Sequence, residues 1–210
     1  RIFLAPIKMT MVPEIIDMEM PVEGVFHNLV ITKIKKEYAG QGQKVMNAMW
    51  GAGQMMFNKI LVIADQQTSI TNYLELAQWF LEERGRGYGK GVIWDDWKDP
   101  LYCQDGVPVK EQKEITGHAV RAMYMYTGAA DVAAVTNDAG YINAMKTIWE
   151  DVVFRNMYIT GGIGAQGKNE GFGVDYDLPN ESAYCETCAS VGMVFWNQRM
   201  NMLTGEGKYI

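Results

Sequence analysis

The sequence predicts an all-α protein, a toroid of stacked helical hairpins of which this chain holds part. Three observations carry that prediction. Apolar residues recur at three- and four-residue intervals over most of the chain. Two-residue alternation is almost absent outside the segments flanking one glycine-rich loop. Finally, Thr68, Thr136 and Thr204, spaced evenly by 68 residues, each precede by five positions an aromatic–aliphatic pair: Tyr73-Leu74, Tyr141-Ile142 and Tyr209-Ile210. Each unit so defined holds a helix opening on Tyr-Leu/Ile, a loop of variable content and a second helix ending at Thr. Hairpins that cannot bury their faces alone must stack on one another. A ring of them places one set of helices inside and the other outside.

Composition bounds the function classes. At 210 residues and 48% hydrophobic, the chain can bury one substantial core or form part of a larger one. The net charge of −6 comes from 19 basic and 25 acidic residues, and the basic cluster Lys33 to Lys36 is too short for a nucleic-acid surface. It fits a solvated helix face. No window approaches 18 uninterrupted apolar residues, so no membrane span is expected. The first residues lack a signal-peptide pattern and begin with Arg, and the closing GEGKYI stops where a helix should start. A piece of a longer protein is expected. Three cysteines argue against a disulfide scaffold and fit a reducing compartment, so a cytoplasmic location is expected.

The elements follow in order. Residues 1–24 carry three prolines and no clean period, and are read as a poorly defined segment. Phe26, Leu29, Val30 and Ile34 mark a helix over 25–38, ended by AGQGQ. Helices are expected over 44–49 and 54–66. The run NYLELAQWFLEERG gives a stripe of Tyr73, Leu74, Ala77, Phe80 and Leu81, with Glu82 and Glu83 on the wet side and Gly85 as the stop. Residues 85–110 form a long loop carrying Trp94 and Trp97, either stacking faces for a sugar or pins to the core. Further helices are expected from about Lys110 to Val135, Ala139 to Phe154 and Glu186 to Leu203.

Chemistry concentrates between Tyr158 and Arg199. There, a polar glycine-rich loop bearing Glu170 leads into Glu186-Thr187-Cys188 at a helix mouth. A carboxylate and a thiolate together suit zinc, a borderline-soft ion. Residues two apart lie about 200° apart on a helix, so both can face one ion only where the helix is not yet regular. Two ligands do not complete a site. The plainer alternative for Cys185 and Cys188 is a pair of small buried residues opening a helix; a redox pair lacks its βαβ context. Glu170 reads as a solvated loop acid or as a general acid/base under a loop that closes over substrate. Asp175 and Asp177 read as turn and capping residues. His118 is either a satisfied core histidine or a donor to a sugar hydroxyl. It lies 68 residues before Glu186, so both should stand near the starts of equivalent helices and line one cavity.

Taken in order, YLELAQWFLEERG, VKEQKEITGHAVRAMYMY, YITGGIG, the loop glutamate, DYDLPN and ETCAS with its following glycine resemble glycoside hydrolase family 127, the β-L-arabinofuranosidase-like enzymes. The resemblance covers the chain from about Asn72 onward and is faint before Val25. It implies an (α/α)6 barrel, usually with β-sandwich domains attached, and makes residues 1–210 part of its catalytic domain. It implies Glu170 as general acid/base, His118 as a sugar contact, and Glu186 and Cys188 as two ligands of a zinc ion. The implied chemistry is retaining hydrolysis of a terminal furanoside through a covalent intermediate on a zinc-bound cysteine. The partner is an oligosaccharide or glycoside, with a homodimer as one option.

Two departures bear on these expectations. The family's adjacent cysteine pair, which supplies the nucleophile and the remaining zinc ligand, has no counterpart here, since Cys103 and Cys185 do not match it. These 210 residues alone are therefore expected to be inactive and to bind zinc weakly. Gln54 stands where the family often has a histidine, which leaves the sugar open. The reading from another class is a helical toroid that binds carbohydrate or a partner without catalysis.

Overall fold

A computed structural model describes residues 72–86 and 100–210. The helices expected within 25–66, Gln54, both loop tryptophans and the segment 1–24 lie outside the described residues. Among the described residues there are four α-helices: α1 (Asn72–Glu83), α2 (Ala119–Thr136), α3 (Ala139–Arg155) and α4 (Thr187–Thr204). Short 3-10 turns occur at Pro100–Cys103, Val109–Glu111 and Gly207–Tyr209. Among the described residues no strand forms, and pairing is limited to three isolated bridges around the 157–171 loop.

Helix ends follow local chemistry. Gly85 closes α1 at φ +77°, and its N–H donates to the Asp105 carboxylate at 2.6 Å. Asn137 ends α2 in the left-handed region (φ 52°), and the next residue, Asp138, caps α3 by accepting from the Gly140 and Tyr141 amides. The two helices thus turn back on each other with two residues between them. Gly205 closes α4 at φ 71°.

One boundary differs from expectation. The helix expected from Lys110 begins only at Ala119, because buried side chains claim the backbone in between. Asp151 accepts the Ile115 amide at 2.7 Å, and the Gln112 amide donates to the Gln104 and Val107 carbonyls at 2.9 and 3.0 Å. Tyr126 holds Gln112 from the other side at 2.8 Å. Gly117 then turns the chain at φ +74°, where a Cβ would fall 2.0 Å from the Leu101 carbonyl oxygen. Glu82 also departs from its expected solvation: it is half-buried, accepts from Tyr141 Oη at 2.9 Å and pairs with Lys110 at 2.8 Å.

The 68-residue period is a structural repeat. Both α2 and α4 are 18 residues long and start and stop at equivalent positions, with His118 and Glu186 as their N-caps. They pack on each other along their length, and both N-termini lie at the same end. Gly192 of α4 lets Met123 of α2 approach, Tyr126 stacks on Trp196 with ring centroids 5.1 Å apart, and Asp131 pairs with Arg199 at 3.1 Å. Helices α1 and α3 bury Ala77, Phe80, Leu81, Tyr141, Met145, Ile148 and Val152 in the same core. No helix of the described residues is long and apolar enough to cross a membrane.

Candidate active site

The site is built on the segment between α3 and α4, which returns to the mouth of α2. Gln166 and Gly171 exchange backbone hydrogen bonds of 2.9 and 3.0 Å, closing a tight turn over Gly167 to Glu170. Glu170 occupies the left-handed region at φ 50°. Two further backbone bonds fasten this turn to the start of α2: Ala119 N to Glu170 O at 3.0 Å, and Phe172 N to Gly117 O at 2.9 Å. The first uses one of the amides that a helix N-terminus leaves without an internal partner. Glycine is required where the two chain segments meet, since a Cβ on Gly171 would lie 1.8 Å from the Gly117 carbonyl oxygen.

This fastening brings Glu170 Oε2 to 3.1 Å from His118 Nε2. Nδ1 of the same ring accepts from the Arg121 amide at 3.4 Å, so Nε2 carries the proton in the neutral ring and donates to the carboxylate. Burial, then the Arg121 guanidinium, pushes the imidazole below its usual range, which favours that neutral form.

The chain then pairs Tyr184 N with Ala165 O and Cys185 N with Gly164 O before reaching Glu186. Glu186 is extended (φ −58°, ψ 135°) and stands outside the regular helix. One ligand atom each from His118, Glu170 and Glu186 lie within 4.8 Å of one another. Glu186 Oε2 is buried without a hydrogen-bond partner, and burial, then the charge of Glu170, pushes its carboxyl up. An orphaned acidic oxygen beside a second acid is an arrangement that a bound cation would satisfy. Glu186 therefore fits as one oxygen ligand of a divalent cation, zinc among them.

Cys188 sits exposed in the first turn of α4 as a free thiol, outside that group of three. It remains at the same mouth, two residues after Glu186, the N-cap of α4. Cys185 is half-buried against Gly162, and burial raises its thiol pKa, the opposite of what a redox pair needs. Cys103 is buried, with its sulfur 3.7 Å from Arg121. Asp175 and Asp177 both take part in the turn closed by Asp177 N to Val174 O at 3.1 Å, but neither caps a helix. Asp175 accepts from Asn156 at 3.2 Å and Asp177 from Gln166 at 2.6 Å.

Sequence reasoning missed four residues around the site. The ring of Tyr102 meets His118 edge-on at 5.3 Å, and the Arg121 guanidinium lies 4.8 Å from that ring. Gln104 donates to the carbonyls of Tyr102, Thr116 and His118. The ring of Tyr184 lies against the tip of the turn, with Cδ2 3.7 Å from where a Cβ on Gly167 would be. No period marks any of them, and only the nearness of Tyr184 to Glu186 in the chain was a signal.

Residues 31–210 match the family model described as Beta-L-arabinofuranosidase, GH127 catalytic domain. A non-reducing end β-L-arabinofuranosidase of Bifidobacterium longum is 39% identical over 156 residues, covering 69% of this chain and 24% of that protein. The crystal structure of a GH127 β-L-arabinofuranosidase from Geobacillus stearothermophilus T6 superposes with a TM-score of 0.66 at 43% identity, over 72% of this chain and 26% of that one. A structure titled as a GH127 β-arabinofuranosidase gives a TM-score of 0.66 at 47% identity, over 75% of this chain and 23% of that one. The chain thus spans about a quarter of the length of these relatives, and its paired hairpins form part of an (α/α)6 toroid. With residues 31–210 matched, this chain belongs to the GH127 β-L-arabinofuranosidase catalytic-domain family.

Proposed function

We infer that the chain forms part of a retaining glycoside hydrolase that releases terminal β-L-arabinofuranosyl or related sugar residues. Glu170 serves as general acid/base: it protonates the leaving oxygen, then takes a proton from the water that completes hydrolysis. His118 offers an Nε2–H at the same mouth, suited to a sugar hydroxyl when substrate displaces the contact with Glu170. Glu186 and Cys188 would hold a zinc ion, and the nucleophile would be a zinc-bound cysteine supplied from outside these residues. Zinc bound there supplies a coordinated thiol held deprotonated at neutral pH. The fixed backbone around Glu170 and His118 keeps acid and imidazole in one geometry, which is where positional catalysis originates.

The observation that carries this reading is the approach of Glu170, His118 and Glu186 at one mouth, from helices and a loop far apart in the chain. Glu170→Gln in the complete protein tests it on a β-L-arabinofuranoside with an alkyl leaving group. The expected loss in kcat/KM is about 100-fold or more, with zinc content unchanged. Activity that survives the substitution removes Glu170 from the chemistry. Binding of the sugar without turnover by the unsubstituted protein would favour a non-catalytic toroid.

A further inference from the structure

The geometry points to Gln104 as the positioning residue of His118, an inference that rests on the reading of His118 as a sugar contact and deepens it. Gln104 is buried and follows the 3-10 turn Pro100–Cys103, with its backbone in the left-handed region at φ 57°. Its side-chain Nε2 donates to Thr116 O at 2.9 Å, Tyr102 O at 3.2 Å and His118 O at 3.3 Å. Three carbonyls around one atom admit only the NH2 end of the amide there. The chain so gripped is what sets the imidazole. Thr116 and His118 flank the turn at Gly117, and Tyr102 O accepts the His118 amide at 3.1 Å while the Tyr102 ring meets the imidazole edge-on.

Satisfying buried carbonyls does not account for the amide. Tyr102 O already receives the His118 amide, and His118 O already receives the Ala122 amide at 3.0 Å. Gln104 instead ties the chain on both sides of Gly117 to the 100–104 turn. The tie has a rigid anchor. Gln104 O accepts from Gln112 Nε2 at 2.9 Å, Gln112 Oε1 accepts from Tyr126 Oη at 2.8 Å, and Tyr126 stacks on Trp196 in the α2–α4 core. A non-glycine residue in the left-handed region is strained, and it persists where surrounding contacts over-determine it. The Glu170 turn is fastened to the neighbouring atoms Gly117 O and Ala119 N, so the clamp on 116–118 also sets where Nε2 stands against the acid, 3.1 Å away. A shift of about 1 Å in that backbone would carry Nε2 out of reach of a sugar hydroxyl.

The test uses the complete protein with Gln104→Met and His118→Ala, singly and together, on a nitrophenyl β-L-arabinofuranoside. Methionine keeps the length of the side chain and removes its donors. A sugar contact made equally in ground and transition states shows in KM. Both single variants are expected to raise KM, Gln104→Met by about fivefold with kcat held within about twofold. Added to His118→Ala, Gln104→Met should raise KM no further, because the ring it positions is gone. A merely structural role acts differently: a smaller folded fraction lowers kcat and leaves KM alone, whether or not His118 is present. That pattern, or a further rise of KM in the double variant, would overturn the inference. Where Gln104→Met does not accumulate as folded protein, Gln104→Asn carries the same comparison. It keeps the amide but withdraws it by one methylene, and a rise in KM of about twofold or more is expected only with His118 in place. If His118→Ala leaves KM unchanged, the sugar-contact reading falls and the role of Gln104 falls with it. If His118→Ala raises KM and the Gln104 variants do not, only the role of Gln104 falls.

Discussion

Asp138 caps α3 through the amides of Gly140 and Tyr141 and receives Lys110 Nζ at 2.8 Å. That hydrogen bond holds its carboxyl below the ordinary 3.8. A carboxyl depressed in the native state binds its proton at lower pH than the unfolded chain does. Its stabilisation is therefore full above 3.8 and is lost as the pH falls through the native value. Asp138→Ala should cost about 1 kcal/mol at neutral pH. The gap to the parent should narrow at about pH 3, as urea unfolding at the two pH values would report. Residues like this are legible in sequence, because an Asp after an Asn at a helix junction has local work to do. Tyr184, Gln104 and Arg121 were not legible. Their partners lie in other segments, and nothing periodic announces a side chain that reaches across the fold.

At the scale of elements, the α2–α4 contact is set by what Gly192 leaves out. A Cβ there would lie 2.7 Å from Met123 Cβ, close to the α2 backbone and not at the yielding end of a side chain. Gly192→Leu gains about 1 kcal/mol in helix propensity. Forcing the helices apart costs about 1–3 kcal/mol and disturbs the Tyr126–Trp196 stack as well. Packing wins, and thermal unfolding should show a lower Tm. The helices themselves were largely readable: α3 and α4 fall within a residue of expectation at each end. The start of α2 was not, and the cause is physical. Residues 110–118 carry a helix-like pattern, but Asp151, Gln112 and Gly117 divert their backbone. Buried hydrogen-bonding groups outvote local propensity there.

Across the whole molecule, the even spacing of 68 residues was the most informative pattern. It made α2 and α4 equivalent and brought His118 and Glu186 to one mouth as paired N-caps. Glu170 reaches that mouth through a loop, where spacing is silent and only glycine content hinted at close backbone approach. Glu186 tests the proposed metal at this scale. In the complete protein, Glu186→Gln should lose most of its bound zinc by elemental analysis, whereas Glu181→Gln, on the exposed approach to α4, should keep it. Retention of zinc in the first variant would move the ion elsewhere. The two main-chain bonds joining the Glu170 turn to Gly117 and Ala119 have a consequence for the proposed sugar site. Swinging the Glu170 turn aside would unpick both of them along with the first turn of a buried helix, so this side of the mouth behaves as a preset die and not a jaw. Under the proposed function, selection would then fall to the contour that an incoming ring meets, and any gating would come from another side of the opening.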